Sequence, residues 1–137
     1  SFSRAGNAGF QPLLRYISGG NRTGQRMAMT APVLQQDTAT SHIVSFVLPA
    51  NTTNAPAPLD RAVAVRQVPQ QLVAVRRYSG STGESAFARE LRELRAALRR
   101  DGLQEAGPAR LARYDPPWQL PFMRRNEAQV PVARVSD

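Results

Sequence analysis

The stretch that decides the fold is ISGGNRTGQRMAMTAPVL, residues 17–34. Glycine adopts backbone conformations with positive φ that other residues avoid, so Gly19 and Gly20 predict the end of a helix. A second turn then leads into Met27 and Met29, which on an extended strand would point to the same face. Two adaptable Met side chains on one face are typical either of a concave apolar ligand site or of an ordinary core. The residue types leave both interpretations open.

The composition is that of a globular protein, and residues 1–137 are expected to form a single domain. Apolar residues make up 42% and charged residues 20% of the chain, and no run approaches the roughly 18 apolar residues of a membrane span. The absence of Cys excludes disulfides, thiolate metal sites and a cysteine nucleophile. The chain begins at Ser1 without a signal-like apolar block, which is typical of a processed or trimmed product. We expect a soluble protein, with the cytoplasm favoured, although no motif names a compartment.

The charge is strongly basic, at +8, and all 18 basic residues are Arg. Arg binds anions bidentately and stays charged at any relevant pH, so nucleic acid, acidic lipid and ligand carboxylates are conceivable partners. Nucleic-acid-binding proteins more often have a basic block with interleaved aromatic residues. Here the Arg residues are scattered, with pairs only at 76–77, 99–100 and 124–125. We therefore predict no nucleic-acid partner and interpret most of the Arg residues as solvated surface.

Hydrophobic periodicity predicts a first helix close to the beginning of the chain. Apolar residues recur with the spacing of one helix face at Phe10, Leu13, Leu14 and Ile17. Pro12 is tolerated in the first turn of a helix, so we expect the helix to begin near Phe10. Residues 1–8 are then a flexible lead-in.

Short β-strands are predicted in the rest of the chain. Their expected ranges are 26–36, 41–48, 63–68, 71–79, 110–114 and 128–135. The first two would form a hairpin around the polar turn 37–40. Residues 49–60, rich in Pro, Asn and Thr, predict a surface loop. Pro131 favours an edge position for the last strand, because proline cannot donate to the ladder.

The clearest helix lies between residues 81 and 102. Ser81 and Glu84 fit a capping box, and Gly102 fits the residue just past the end of the helix. Its apolar stripe consists of Phe87, Leu91, Leu94 and Leu98. Arg and Glu residues cover the opposite side, which favours packing on a sheet over contact with a membrane.

The order of these elements predicts an α+β fold. One α-β-β half, whose leading strand is short or missing, is followed by a complete β-α-β-β half. Two such halves would give a curved antiparallel sheet backed by two helices. No internal repeat is visible, so the duplication is inferred from the element order alone.

The side chains offer no catalytic constellation. A single His42 excludes a triad or a histidine metal cluster, and its place at a strand start is more typical of a surface residue than of a ligand. The acidic residues are dispersed, without a spacing that implies acid–base catalysis. No glycine motif for phosphate binding occurs. We therefore predict that the protein is not an enzyme.

Three stretches of the chain are distinctive. They are residues 16–33 with MAMTAPV, the Pro-rich loop 56–60 followed by VRRYSG at 75–80, and YDPPW at 114–118 followed by PFMRRNE at 121–127. Together they resemble the SOUL haem-binding protein family. The match covers most of the chain in the right order. The resemblance implies a distorted antiparallel β-barrel of two β-α-β-β halves with two flanking helices. It also implies a soluble protein that binds haem or a related tetrapyrrole non-covalently.

The resemblance further implies a position for the ligand. In better-known members the macrocycle lies in an apolar groove beside the first helix, without a mandatory axial ligand. Carried onto this chain, the groove involves Leu13, Leu14, Ile17, Met27 and Met29, and the cations that could face the propionates are Arg15, Arg22 and Arg26. An apolar cleft with Arg at its mouth suits a flat apolar ring with two propionates. His42 matches no axial-ligand motif. The family usually has a strand before the first helix, and this chain begins too late to supply it fully, so we expect either an open sheet edge there or an edge filled by a segment outside this sequence.

Two classes of function compete at this point. One is reversible haem or tetrapyrrole binding, as a carrier, buffer or sensor. The other is a small-molecule-binding regulator or protein-interaction domain of the same duplicated fold, independent of haem. A haem site would depend on Leu14, Met27 and Met29, whereas a regulator would place a polar or charged group inside its pocket. The protein partners are unknown.

Overall fold

The computed structural model describes residues 2–37, 41–115 and 119–134. Most of the predicted turn 37–40 and the Pro-Pro-Trp segment at 116–118 lie outside these residues. The described part contains two α-helices, α1 Phe2–Ile17 and α2 Glu84–Arg100, and one 3-10 helix, Pro121–Met123. Its six strands are β1 Val33–Asp37, β2 His42–Phe46, β3 Val73–Tyr78, β4 Leu103–Glu105, β5 Arg110–Arg113 and β6 Asn126–Arg134.

The strands form one antiparallel sheet in the order β2-β1-β5-β6-β3, and β4 also pairs with β6. This confirms an α+β fold with two helices and an antiparallel sheet. The predicted barrel is wrong for the described residues, because β2 and β3 remain at opposite ends of the sheet and do not pair. The duplication into two halves stays a prediction, since the element order does not establish it.

The last strand was predicted at an edge, and that prediction is wrong. β6 lies in the middle of the sheet, between β5 and β3. Pro131 is tolerated there because its carbonyl accepts the Ala106 N–H at 2.7 Å, so that side of the residue faces the connection between β4 and β5. The missing N–H therefore interrupts no continuous ladder.

Both helices lie on the same face of the sheet. Cross-strand partners share a face, and the register pairs Phe46 with Val33, Gln35 with Leu111, and Leu111 with Ala128. α1 contacts this face where the rings of Phe10 and Phe46 lie 5.1 Å apart, edge to face. α2 covers the other end, where Leu91, Leu94 and Leu98 pack on Ala128, Val130 and Val132. The opposite face of the sheet carries neither helix.

The predicted beginning of the first helix is wrong. α1 begins at Phe2, so Pro12 lies inside it and residues 2–8, expected as a lead-in, are helical. Proline removes one helical N–H and disfavours the helix locally, but most helical stability comes from packing of an amphipathic face. Phe10 on the sheet supplies such packing here.

The second helix agrees with its predicted stripe but not with its predicted cap. Leu91, Leu94 and Leu98 are buried, and Gly102 follows the helix with a φ of +68°, as expected of its position. The N-cap is Gly83, which makes no side-chain capping bond. The Ser81 hydroxyl instead accepts the N–H of Gly83 at 3.0 Å, so the predicted capping box is wrong.

Three strand predictions also need correction. The first strand begins at Val33 rather than at residue 26. The described residues 63–68 contain no strand, because Val65 and Val68 are exposed and only Val63 is buried. β4, at Leu103–Glu105, was not among the predicted strands.

Candidate functional site

The turn after α1 brings the start of the Met-rich segment back to the helix. Gly20 donates its N–H to the Arg15 carbonyl at 2.8 Å, and a Cβ at Gly20 would lie only 2.6 Å from that oxygen. Gly19 has a φ of +107°, a conformation that favours glycine. The Met27 N–H then donates to the Ile17 carbonyl at 2.8 Å. The two glycines thus permit the reversal that places Met27 beside the end of the helix.

A buried polar network fixes this turn. Asn21, which is 3% exposed, donates from Nδ2 to the carbonyls of Tyr16 and Gln25 at 3.0 and 2.8 Å. Its Oδ1 accepts the Gln25 N–H at 3.0 Å. The hydroxyl of Tyr16 donates to the Pro56 carbonyl at 2.7 Å, which ties the predicted surface loop to α1, and burial raises the pKa of Tyr16. Asn directly after Gly-Gly is a common turn signal, but the sequence did not predict these hydrogen bonds of Asn21 and of the Tyr16 hydroxyl.

Four of the five predicted apolar site residues are brought together. Leu13, Leu14 and Met27 are half-buried and pack against Ile17 in one cluster, which also contains Tyr16, Val63, Phe46 and Leu48. Met29 is 49% exposed and lies outside that cluster. The expectation that both Met side chains share one face of a strand is wrong, because residues 27–32 precede β1.

A recess of about 290 Å³ opens next to Met27. Its lining consists of Gln25, Arg26, Met27, Ala28, Pro49, Asn51, Thr52 and Thr53. Most of these residues are polar. The structure therefore offers a shallow, largely polar recess beside an apolar cluster, rather than a deep apolar groove.

The three Arg residues expected near the propionates are all exposed. Arg26 lines the recess beside Met27. Arg15 lies with Nη2 3.7 Å from Oδ2 of Asp60, and both side chains are well exposed, so this ion pair contributes little. His42 is an exposed residue at the start of β2. Across the described ranges, no group of three His, Cys, Asp or Glu residues is arranged to hold a metal ion.

A second and larger recess, of about 400 Å³, is lined in part by residues of β3 and β6. It is lined by Arg77, Tyr78, Ser79, Tyr114, Arg124, Arg125, Asn126 and Glu127. These residues belong to VRRYSG, YDPPW and PFMRRNE, the later motifs noted in the sequence. None of them was predicted as a site residue.

The floor of this second recess is a carboxylate held by three donors. Oε1 of Glu127 accepts hydrogen bonds from the Tyr114 hydroxyl at 2.9 Å and from Nε2 of Gln129 at 2.8 Å. Its Oε2 accepts Nε of Arg77 at 3.3 Å. Burial, with the hydrogen bond to Glu127, raises the pKa of Tyr114. All these side chains lie on the sheet face that carries no helix, and Gln129 in turn accepts Nε of Arg110 at 2.8 Å.

The rim of the recess is held by Asp115. Its carboxylate accepts the Arg125 backbone N–H at 2.6 Å and the Nη2 of Arg125 at 3.1 Å. These bonds from the side chain and backbone of Arg125 lower the pKa of Asp115. Arg124 donates from Nε to the Gln119 carbonyl at 3.0 Å. Both rim guanidiniums thus have a partner, the Gln119 carbonyl for Arg124 and the Asp115 carboxylate for Arg125.

Two buried polar groups on the helix-covered side have no hydrogen-bond partner among the described residues. They are the hydroxyl of Tyr78 and Nε of Arg113. Burial raises the pKa of Tyr78 to about 12 and lowers the pKa of Arg113.

Most of the chain matches the model of a known protein family. The model of the family described as SOUL heme-binding protein matches residues 1–131. The chain therefore belongs to the SOUL heme-binding protein family, as the three motifs indicated. A search of curated proteins finds no match. In the part of the chain that the structure describes, no helix is both long and apolar enough to span a membrane.

Proposed function

We propose that this protein binds haem or a related tetrapyrrole reversibly, as a carrier, buffer or sensor. Membership of the SOUL heme-binding protein family supports the ligand class. One structural observation supports the position: the turn after α1 gathers Leu13, Leu14 and Met27 into one half-buried apolar surface. Exposed Arg22 and Arg26 lie along the same turn.

The residues fit a shallow site better than an enclosed one. Ile17 is only 5% exposed, so it supports the surface from below, and the ring would contact Leu13, Leu14 and Met27. Met29, about half exposed, adds apolar area two residues further along. The propionates would bind Arg22 or Arg26 through charge-assisted hydrogen bonds. A ring that keeps one face in water loses part of the available apolar contact, which favours weak and reversible binding.

A haemin titration of the purified protein, followed by its Soret band, tests the proposal. We expect saturable one-to-one binding that Met27→Glu abolishes, because a carboxylate would repel the propionates and disrupt the apolar surface. Val68→Glu is the matched control, since Val68 is 61% exposed outside the cluster. His42→Ala should bind like the parent.

Three outcomes would contradict the proposal. Absence of saturable binding by the folded parent would refute haem binding. Equal losses in Met27→Glu and Val68→Glu would refute the position. Loss in His42→Ala alone would make that imidazole an axial ligand, against the apolar site proposed here.

A second candidate function is binding of a polar small molecule without haem, as in a regulatory or interaction domain. It is favoured by the larger recess, in which Glu127 and Tyr114 lie beneath three Arg residues. A charged group inside the pocket is the feature expected of such a domain. Failure of haemin to bind, with retained binding of an anionic ligand, would support this alternative.

A further inference from the structure

The larger recess has an excess of positive charge. Its lining contains the guanidiniums of Arg77, Arg124 and Arg125 and the carboxylate of Glu127, a formal charge of +2. Asp115, bonded to Arg125, reduces the local sum to +1. The Arg77 side chain is 88% exposed and Arg125 is 73% exposed. A group that enters from solvent therefore meets guanidinium before it meets carboxylate.

The two carboxylates are already occupied as acceptors. Glu127 accepts three donors, from Arg77, Tyr114 and Gln129. Asp115 accepts the backbone and side chain of Arg125. A guanidinium has five N–H donors and binds oxyanions bidentately. The recess is consequently suited to an anion rather than to a cation.

An exposed apolar turn directly precedes Arg124 and Arg125 in the sequence. Leu120, Phe122 and Met123 are 54%, 73% and 52% exposed. Phe122 and Met123 belong to the 3-10 helix Pro121–Met123, and Leu120 directly precedes it. The Met123 N–H donates to the Leu120 carbonyl at 2.9 Å. The turn is also tied to β3, because the Gly80 N–H donates to the Pro121 carbonyl at 2.8 Å. Three large apolar side chains are thus held in solvent, next in sequence to Arg124 and Arg125.

We propose that this recess binds an amphipathic oxyanion, a small soluble molecule with a carboxylate or phosphate head and an apolar body. The head would be bound by Arg77, Arg124 and Arg125, and the body would cover Phe122 and its apolar neighbours. A volume of about 400 Å³ lies toward the lower end of the roughly 300–1,000 Å³ typical of ligand sites. The inference deepens the second candidate function and does not depend on haem.

Isothermal titration calorimetry with three probes tests the proposal: octyl phosphate below its micelle concentration, inorganic phosphate and octanol. We expect one saturable site for octyl phosphate, weaker binding of phosphate and none of octanol. Arg124→Gln should weaken octyl phosphate binding about tenfold, equivalent to the loss of one charge-assisted hydrogen bond. Phe122→Ser should weaken the binding of octyl phosphate severalfold and leave the affinity for inorganic phosphate unchanged.

Matched controls distinguish binding in the recess from nonspecific binding through charge or exposed apolar side chains. Arg99→Gln removes an exposed Arg from α2, and Leu59→Ser removes a Leu that is 67% exposed elsewhere; both should bind like the parent. Met27→Glu should also retain octyl phosphate, which distinguishes failure of this inference from failure of the haem proposal. Circular dichroism would establish that each variant is folded.

Several results would overturn the proposal. They include no saturable site for octyl phosphate, equal weakening by Arg99→Gln and Arg124→Gln, or binding of octanol as tight as that of octyl phosphate. Binding to vesicles containing acidic phospholipid without binding to soluble octyl phosphate would point to a membrane surface instead. Displacement of octyl phosphate by one equivalent of haemin would assign the recess to the tetrapyrrole.

Discussion

The two helix-covered regions of the sheet are built in different ways. Beneath α2, Leu94 and its neighbours pack on Ala128 and Val130, which are completely buried. At the end of α1, the corresponding cluster is closed by a turn and a loop, and its polar groups, Asn21 and Tyr16, make the defining contacts. Apolar area stabilises the first region, whereas directional hydrogen bonds position the second. The second region consequently retains apolar side chains, such as Leu13, Leu14 and Met27, that are only partly buried.

The largest effect should come from the α2 region. Leu94→Ala removes a side chain that is 6% exposed, and we expect it to lower the free energy of unfolding by about 3 kcal/mol. Leu14→Ala, at a half-buried position, should cost less than about 2 kcal/mol because less contact is lost. Urea unfolding followed by circular dichroism measures both. Equal losses would mean that the two regions are packed alike.

An intermediate effect should come from Asn21. Asn21→Ala leaves the buried carbonyl of Tyr16 and two backbone groups of Gln25 without their partner, at a cost of about 2 kcal/mol. It should also weaken haemin binding, since the turn that positions Met27 loses the hydrogen bonds of Asn21. Thr23→Ala is the matched control, as it removes only a longer contact of 3.3 Å to the same side chain. Haemin affinity unchanged in Asn21→Ala would show that the network does not position the ligand surface.

The smallest effect at neutral pH should come from Tyr78→Phe. The lost hydroxyl has no hydrogen-bond partner among the described residues, so stability should stay the same or rise by up to about 1 kcal/mol. At high pH the difference in stability between Tyr78→Phe and the parent grows. The pKa of Tyr78 is about 12 when folded, against an ordinary value of 10.0; between these values the folded state keeps a proton that the unfolded chain has released. Stability therefore falls as pH rises through this window.

Urea midpoints between pH 9 and 12 test this dependence. Tyr78→Phe should reduce the decline without abolishing it, because burial also raises the pKa of Tyr16 and Tyr114. An identical decline in parent and variant would exclude Tyr78 as its source.

Regular periodicity made part of the fold predictable. The stripe with Leu91, Leu94 and Leu98 and the residue Gly102 located α2, and the antiparallel pairing of β1 with β2 was confirmed. Pro12 led to a wrong prediction of where α1 begins, because tertiary packing outweighs the local preference of proline for the first turn of a helix. Pro131 led to the wrong prediction that β6 is an edge strand. The cost of a missing N–H depends on which neighbour that side of the strand faces.

The candidate sites were less predictable because they depend on contacts between distant residues. The family resemblance placed Leu13, Leu14 and Met27 in one site, and the structure brings these side chains into one cluster; that they bind a ligand stays a prediction. The larger recess depends on Arg77 and Glu127, which are 50 positions apart in sequence and adjacent only through the register of β3 and β6. No local pattern could indicate that pairing.

The central place of β6 also constrains the order in which the molecule folds. This strand pairs with β3, β4 and β5, all of which precede it in the chain. During synthesis the sheet therefore cannot be completed until residues 126–134 have left the ribosome, and the earlier strands wait with unpaired edges. Such late, long-range closure slows folding, and edges left open in the meantime invite pairing with other chains. The nascent chain is therefore most prone to aggregate before β6 has left the ribosome.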